Sequence, residues 1–76
     1  MSENSDITNY DNSFSVRLKT IRCLRHLKQT DVAKALNIPQ SLYSTWESGS
    51  HLPRSYNFSR LAQFLNVPIE LLVKGP

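Results

Sequence analysis

The sequence predicts an all-α fold: a compact bundle of five short helices built around a helix-turn-helix. Three observations carry this. From position 14 onward, apolar residues recur at helical spacing, and no segment alternates as a strand would. Chain breakers fall at short intervals: Asn37 with Pro39, Gly49 with Pro53, Asn66 with Pro68, and Gly75 with Pro76. The chain has 76 residues, enough for one small domain that needs close helix packing or a partner.

Residues 1–12 (MSENSDITNYDN) have no periodic apolar face and read as a disordered leader ahead of a domain at 13–76. Ser13 is placed to cap a first helix running to about 24 or 25, with Phe14, Leu18 and Ile21 inward. Arg17, Lys19, Arg22 and Arg25 give the rest of that helix a basic surface. Cys23 and Leu24 lie off the inward stripe; shielding by the next loop is preferred to a protein-contact patch. Leu27 returns to the core. A second helix spans Gln29–Leu36, with Val32, Ala33 and Leu36 on one face. Asn37 stops it, as Asn tolerates the left-handed conformation that ends helices. Pro39 suits the next start, because its φ is pre-set and it lacks only a donor that would be unpaired. The third helix is Gln40–Ser48, with Tyr43 and Trp46 inward. Small Ala33 lets the two helices cross closely, the shape of a helix-turn-helix whose second helix can lie in a DNA major groove.

A loop at 50–54 follows, then a fourth helix at about 56–65 with Phe58, Leu61, Ala62 and Leu65 inward. Asn66 ends it as Asn37 ends the second. Pro68 opens a fifth helix, Ile69–Val73, which Lys74, Gly75 and Pro76 stop.

Charge is unevenly placed. Glu3, Asp6 and Asp11 occupy the leader, while residues 13–76 hold nine basic and three acidic side chains, a net of +6 with His neutral. Such a domain points to an anionic partner, most simply nucleic acid, over ordinary solubilising charge. Arms that wrap DNA are basic and the leader is not. The single cysteine excludes an intramolecular disulfide and fits a reducing compartment. No apolar run is long enough to span a membrane or to serve as a signal segment, so a cytoplasmic, nucleoid-associated location is expected. The two histidines and one cysteine lack metal-ligand spacing. No carboxylate pair, nucleophile motif or Gly-rich phosphate loop is present. Neither an enzyme nor a cofactor is expected.

These residues carry a resemblance. From about Phe14 to Val73 the chain resembles the lambda-repressor/Cro-like helix-turn-helix family, also called the XRE family. Its landmarks are Arg22, Gln29, Ala33, Asn37-Ile38, Trp46-Glu47-x-Gly49, Pro53, Leu61-Ala62 and Val67-Pro68-Ile69-Glu70-Leu71-Leu72. The resemblance implies that Gln29 and Gln40, which open the second and third helices, pair with each other. Gln40 then bonds an adenine edge, for which a side-chain amide has the right donor and acceptor. Gln29 would also offer its backbone N–H to a phosphate. Ser41 and Thr45 match the other base-contacting positions, and Ser44 would touch a phosphate or the groove edge. Leu42 stands where a small polar residue is common; it would meet a thymine methyl or pack on the turn. Arg22 and Glu47 match a salt bridge that locks the third helix to the first. Ser48, Ser50, Arg54, Tyr56 and the backbone N–H groups of 55–57 are the expected phosphate contacts. Tyr43 and Trp46 have core spacing, which outweighs a base-stacking role.

Two departures stand out. Lys28 precedes the second helix where a capping Ser, Thr or Asn is common, which implies the loss of about 1 kcal/mol and a phosphate contact in its place. His26 takes a turn position where Gly is common, a matter of local geometry. The reading that results is a sequence-specific regulator of transcription: a phage, prophage or bacterial repressor that binds a palindromic DNA operator as a homodimer. The alternative is an antitoxin or interaction module bound by a protein antagonist, with Leu24, Leu52, Leu71, Leu72 and Val73 as the expected contact surface.

Overall fold

The computed structural model describes residues 13–75; the leader expected at 1–12 lies outside the described residues. Five helices follow one another: α1 Phe14–Leu24, α2 Gln29–Leu36, α3 Gln40–Ser48, α4 Ser55–Leu65 and α5 Ile69–Val73. There is no strand among the described residues. The expected helices appear at the expected places. Only α4 differs, starting at Ser55, because the Arg54 carbonyl already accepts from the N–H groups of Asn57 and Phe58 at 2.8 and 3.0 Å.

Four helices stop by one mechanism. At His26, Asn37, Gly49 and Asn66 the backbone turns left-handed, with φ of 59°, 57°, 85° and 60°. In each case the next N–H reaches back to the carbonyl five residues before it: Leu27 to Arg22, Ile38 to Ala33, Ser50 to Thr45, Val67 to Ala62. This is the Schellman closure, which satisfies carbonyls that a helix end otherwise leaves open. Ile38 and Val67 then pack against the core.

At the other ends, Ser13 caps α1 by accepting from the Val16 N–H. α2 starts without a side-chain cap at Lys28, as expected, but Asp31 compensates in part. The Asp31 carboxylate accepts the Lys28 N–H at 2.7 Å, so the reciprocal half of a capping box is present without a capping side chain at 28. Its negative charge in the first turn also suits the helix dipole.

The core combines Leu18 and Ile21 of α1, Val32, Ala33 and Leu36 of α2, Tyr43 and Trp46 of α3, Leu61, Ala62 and Leu65 of α4, and Leu72 of α5. Each large side chain buried there contributes about 1.5–3 kcal/mol. The Phe14 and Phe58 rings meet edge to face at 5.0 Å and tie α1 to α4. α1 and α2 both pack on α3, while α4 packs on α2 and α5 closes against α4 and α1. The third helix is therefore held from behind by two others.

Two surface expectations fail. Leu72 is fully buried, because a five-residue helix has one inward face and Leu72 is on it; it cannot belong to a contact surface. Arg17 is also buried, at 9% exposure. Its Nη2 donates to the carbonyls of Leu72 and Val73 at 2.7 and 3.4 Å, where the last turn of α5 has no intrahelical donors to meet them. It is no part of a basic surface.

Candidate nucleic-acid interface

α3 divides sharply into two sides. Tyr43 and Trp46 point inward at 0% and 2% exposure, with their rings edge to face at 5.8 Å. They pack and do not offer a stacking surface. Gln40, Ser41 and Ser48 are exposed, and Ser44 and Thr45 half-buried. Spaced at 40, 41, 44, 45 and 48, these polar residues form one continuous helical face.

The Thr45 hydroxyl donates to the Leu42 carbonyl at 2.6 Å, which leaves its lone pairs and methyl for outside contacts. Ser48 donates to the Thr45 carbonyl at 3.1 Å, and the Ser48 and Ser50 hydroxyl oxygens lie 2.7 Å apart. The Ser50 N–H reaches Ser48 Oγ at 3.4 Å. These bonds give the chain leaving α3 a defined course.

Glu47 is the anchor of this region, with 4% of its side chain exposed. Its Oε2 accepts from Arg22 Nε at 2.6 Å and from the Tyr43 hydroxyl. Its Oε1 accepts from Arg22 Nη2 and Gln29 Nε2, both at 3.0 Å. Four donors thus fill the capacity of one carboxylate. Burial opposes its ionised form, but the hydrogen bonds from Arg22, Tyr43 and Gln29 outweigh that and hold its pKa below the ordinary carboxylate value. The same bond pushes the Arg22 guanidinium further up. Burial, then the bond to Glu47, pushes the Tyr43 hydroxyl up. Arg22 also donates through Nη1 to the Leu27 carbonyl at 2.8 Å, so one guanidinium joins α1, the α1–α2 turn and α3. Gln29 continues the chain of bonds outward, accepting from Gln40 Nε2 at 3.3 Å.

Cations stand on both flanks of the polar face. On one side, Lys19, Arg22, Gln29, Ser44, Glu47 and Ser48 line a shallow open cleft of about 320 Å³. On the other, Arg54 lines a second with Leu42, Trp46, His51, Leu52, Pro53 and Asn57. Lys28 and Ser50 are exposed. Tyr56 is exposed too, its ring 5.1 Å from the Arg60 guanidinium. Lys19 is the residue that the expected site lacks. It lies one turn before Arg22 on the same helix face, a spacing from which it was findable.

The expected protein-contact residues lie on three different elements and differ in exposure. Leu24, Leu52 and Val73 are exposed at 69%, 70% and 50%, on α1, the loop after α3 and α5. Leu71 packs partly against the core and Leu72 lies wholly within it. Among the described residues no helix is long and apolar enough to cross a membrane, and no group of three or more His, Cys, Asp or Glu is placed to hold a metal ion.

Known proteins are similar to this chain. Residues 18–72 match the family described as helix-turn-helix. The ImmF control region 10 kDa protein of Bacillus phage phi105 is 38% identical over 55 residues, which span 72% of this chain and 61% of that protein. The cryptic phage CTXphi transcriptional repressor RstR of Vibrio cholerae is 33% identical over 60 residues, 79% of this chain and 54% of RstR. The transcriptional activator BcrR of Enterococcus faecalis is 29% identical over 62 residues, 82% of this chain and 30% of BcrR. The chain thus spans between about a third and three fifths of the length of these relatives. A transcriptional regulator from Listeria innocua has the same fold, with a TM-score of 0.73 over 80% of this chain and 57% of that one at 24% identity. The chain belongs to the lambda-repressor/Cro-like helix-turn-helix family.

Proposed function

We propose that this chain is a sequence-specific, double-stranded-DNA-binding regulator of transcription, acting as a repressor of phage, prophage or bacterial type. One observation carries the reading. Gln40, at the exposed start of α3, is tethered through Gln29 to the part-buried Arg22–Glu47 pair. A side chain held in this way on a convex polar helix is pre-organised to meet base edges in the major groove. Two phage-related proteins among the relatives, one of them named as a repressor, support the direction of control.

The division of labour follows from exposure and charge. Gln40, Ser41 and Thr45 read bases. Lys19 and Arg54 meet the phosphates on the two sides of the groove, with Lys28, Ser44, Ser48, Ser50, Tyr56 and the first N–H groups of α4 adding contacts. Phosphate contacts set register and much of the affinity; base contacts set sequence. A homodimer would place its two α3 helices about 34–36 Å apart, in successive major grooves of a palindromic operator. Occupancy would then block a promoter.

Selection from a random duplex library, at stated near-physiological salt, tests this. A palindrome with an adenine in each half-site should be enriched. Gln40→Ala should cost about 1–3 kcal/mol and relax one base position. Weak, salt-sensitive binding without any enriched sequence would sink the reading. The exposure of Leu24 and Leu52, 69% and 70%, favours a second one, in which a protein antagonist grips the domain. On that reading Gln40→Ala leaves binding intact and substitutions at the two leucines abolish it.

A further inference from the structure

Residues 1–12 carry three carboxylates, Glu3, Asp6 and Asp11, and no Lys or Arg. They join the domain at a definite place. The hydroxyl oxygens of Ser13 and Ser15 lie 3.4 Å apart, and Ser15 Oγ stands 3.5 Å from where a side chain on Gly49 would begin. Gly49 ends α3, so the leader enters α1 beside the end of α3. Lys19 follows Ser15 by one turn of α1 and lines the open cleft with Ser48. The leader is therefore attached at the rim of that cleft.

Cations wait around it. Among the described residues the one ion pair is Arg22–Glu47, which leaves Lys19, Lys28 and Arg54 exposed without a carboxylate partner. Three carboxylates face three cations. Length suffices too: twelve extended residues reach about 40 Å, whereas the nine residues of α3 measure about 14 Å. Resting on the DNA-binding reading above, we propose that the acidic leader occupies the cation-lined surface beside α3 in the free protein and competes there with the phosphates of DNA. Its carboxylates stand in for phosphate oxygens, at Lys19 first because that cation is nearest the point of attachment. A segment without a cation is repelled by a phosphate backbone, so it leaves as a duplex arrives. The short tether holds it at an effective concentration on the order of mM. Its departure weakens the hold on every duplex by the same factor, whatever the sequence.

The test combines Glu3→Gln, Asp6→Asn and Asp11→Asn in the full chain, none of them within the helical domain. Binding to a random-sequence duplex is measured at about 50 mM and about 200 mM salt. The neutralised protein should bind about three- to tenfold tighter at the lower salt and within about twofold of wild type at the higher. Glu70→Gln removes one exposed carboxylate from α5 and calibrates the general effect of charge. A leader effect no larger than three such steps on a logarithmic scale overturns the proposal. Docking itself is read on the free protein. Amide NMR shifts of Lys19, Ser48 and Ser50 should differ between wild type and the neutralised protein at the lower salt, and converge as salt rises. Identical shifts overturn the proposal and, with duplex binding intact, leave the DNA-binding reading standing. Differences that grow with protein concentration also overturn it, because a second copy's leader would then fill the cleft. Failure of both proteins to bind any duplex overturns both.

Discussion

At the seam between α1 and α3 one arginine meets a carboxylate; at the ends of α2, α4 and α5 three arginines meet backbone carbonyls. Arg22 belongs to the first region, paired with Glu47 through two nitrogens. In the second, Arg60 donates to the Leu36 carbonyl, Arg25 to Leu65 at 2.9 Å and Asn66 at 3.3 Å, and Arg17 to Leu72 at 2.7 Å. The side chain and the charge are the same, but the consequences differ. The Arg22–Glu47 pair is linked by hydrogen bonds through Gln29 to Gln40 at the exposed start of α3. The other three arginines are met by the negative ends of helix dipoles and join one helix to another. Four of the nine basic residues at 13–76 therefore serve internal contacts. Neutral carbonyls leave the charge of Arg17, Arg25 and Arg60 in place but engage their donors, whereas Lys19 and Arg54 are exposed cations that line the clefts beside α3.

The comparison breaks most severely at the seam. Glu47→Ala strands a guanidinium that is only 12% exposed, and should cost about 3–5 kcal/mol in urea unfolding. The same pair sets a pH dependence. Glu47 has a depressed pKa when folded, so its contribution is fully present above the unfolded carboxylate pKa of about 4.3 and is lost as pH falls through the folded value. The stability gap between wild type and Glu47→Gln should narrow as pH drops through that window; a gap independent of pH would show that ionisation of Glu47 does not matter.

Arg17→Ala comes next. It removes charge-assisted bonds to the end of α5 and should cost about 2 kcal/mol, while any base preference found in the proposed operator selection stays unchanged. Loss of that preference in a folded Arg17→Ala protein would erase the distinction between the two regions. His26→Gly acts in the other direction, because a non-glycine residue at φ 59° pays a left-handed penalty of about 1 kcal/mol. Its thermal midpoint should rise by a few degrees for a domain this small. The smallest effect is the sharpest discriminator. Lys19→Ala should reduce the salt slope of DNA binding by about one, and Arg25→Ala should leave it unchanged. Equal slopes for both would mean that Arg25 reaches phosphate despite its carbonyl partners.

Much of the fold was legible because the signals were local. Asn37, Asn66 and Gly49 are residues that tolerate a left-handed turn, and the helices end there. Helical spacing put Tyr43 and Trp46 inside and the 40, 41, 44, 45, 48 face outside, since one helical period decides both. The expected site was a set of residues, and tertiary structure added its connections. That Gln29 touches Glu47 as well as Gln40 depends on where α2 lies against α3. Lys19 joins the site because α1 packs beside α3.

The sequence by itself determined where each helix stops, where each but α4 starts, and which face of α3 is polar, because those choices rest on dihedral preferences and on neighbours three or four residues away. Only the tertiary structure decided what Arg17, Arg25 and Arg60 do and that Leu72 is core. The carbonyls that Arg60, Arg25 and Arg17 satisfy lie 24, 40 and 55 residues away along the chain. A helix end shows its open carbonyls in any sequence, but which cation reaches them depends on how the helices pack.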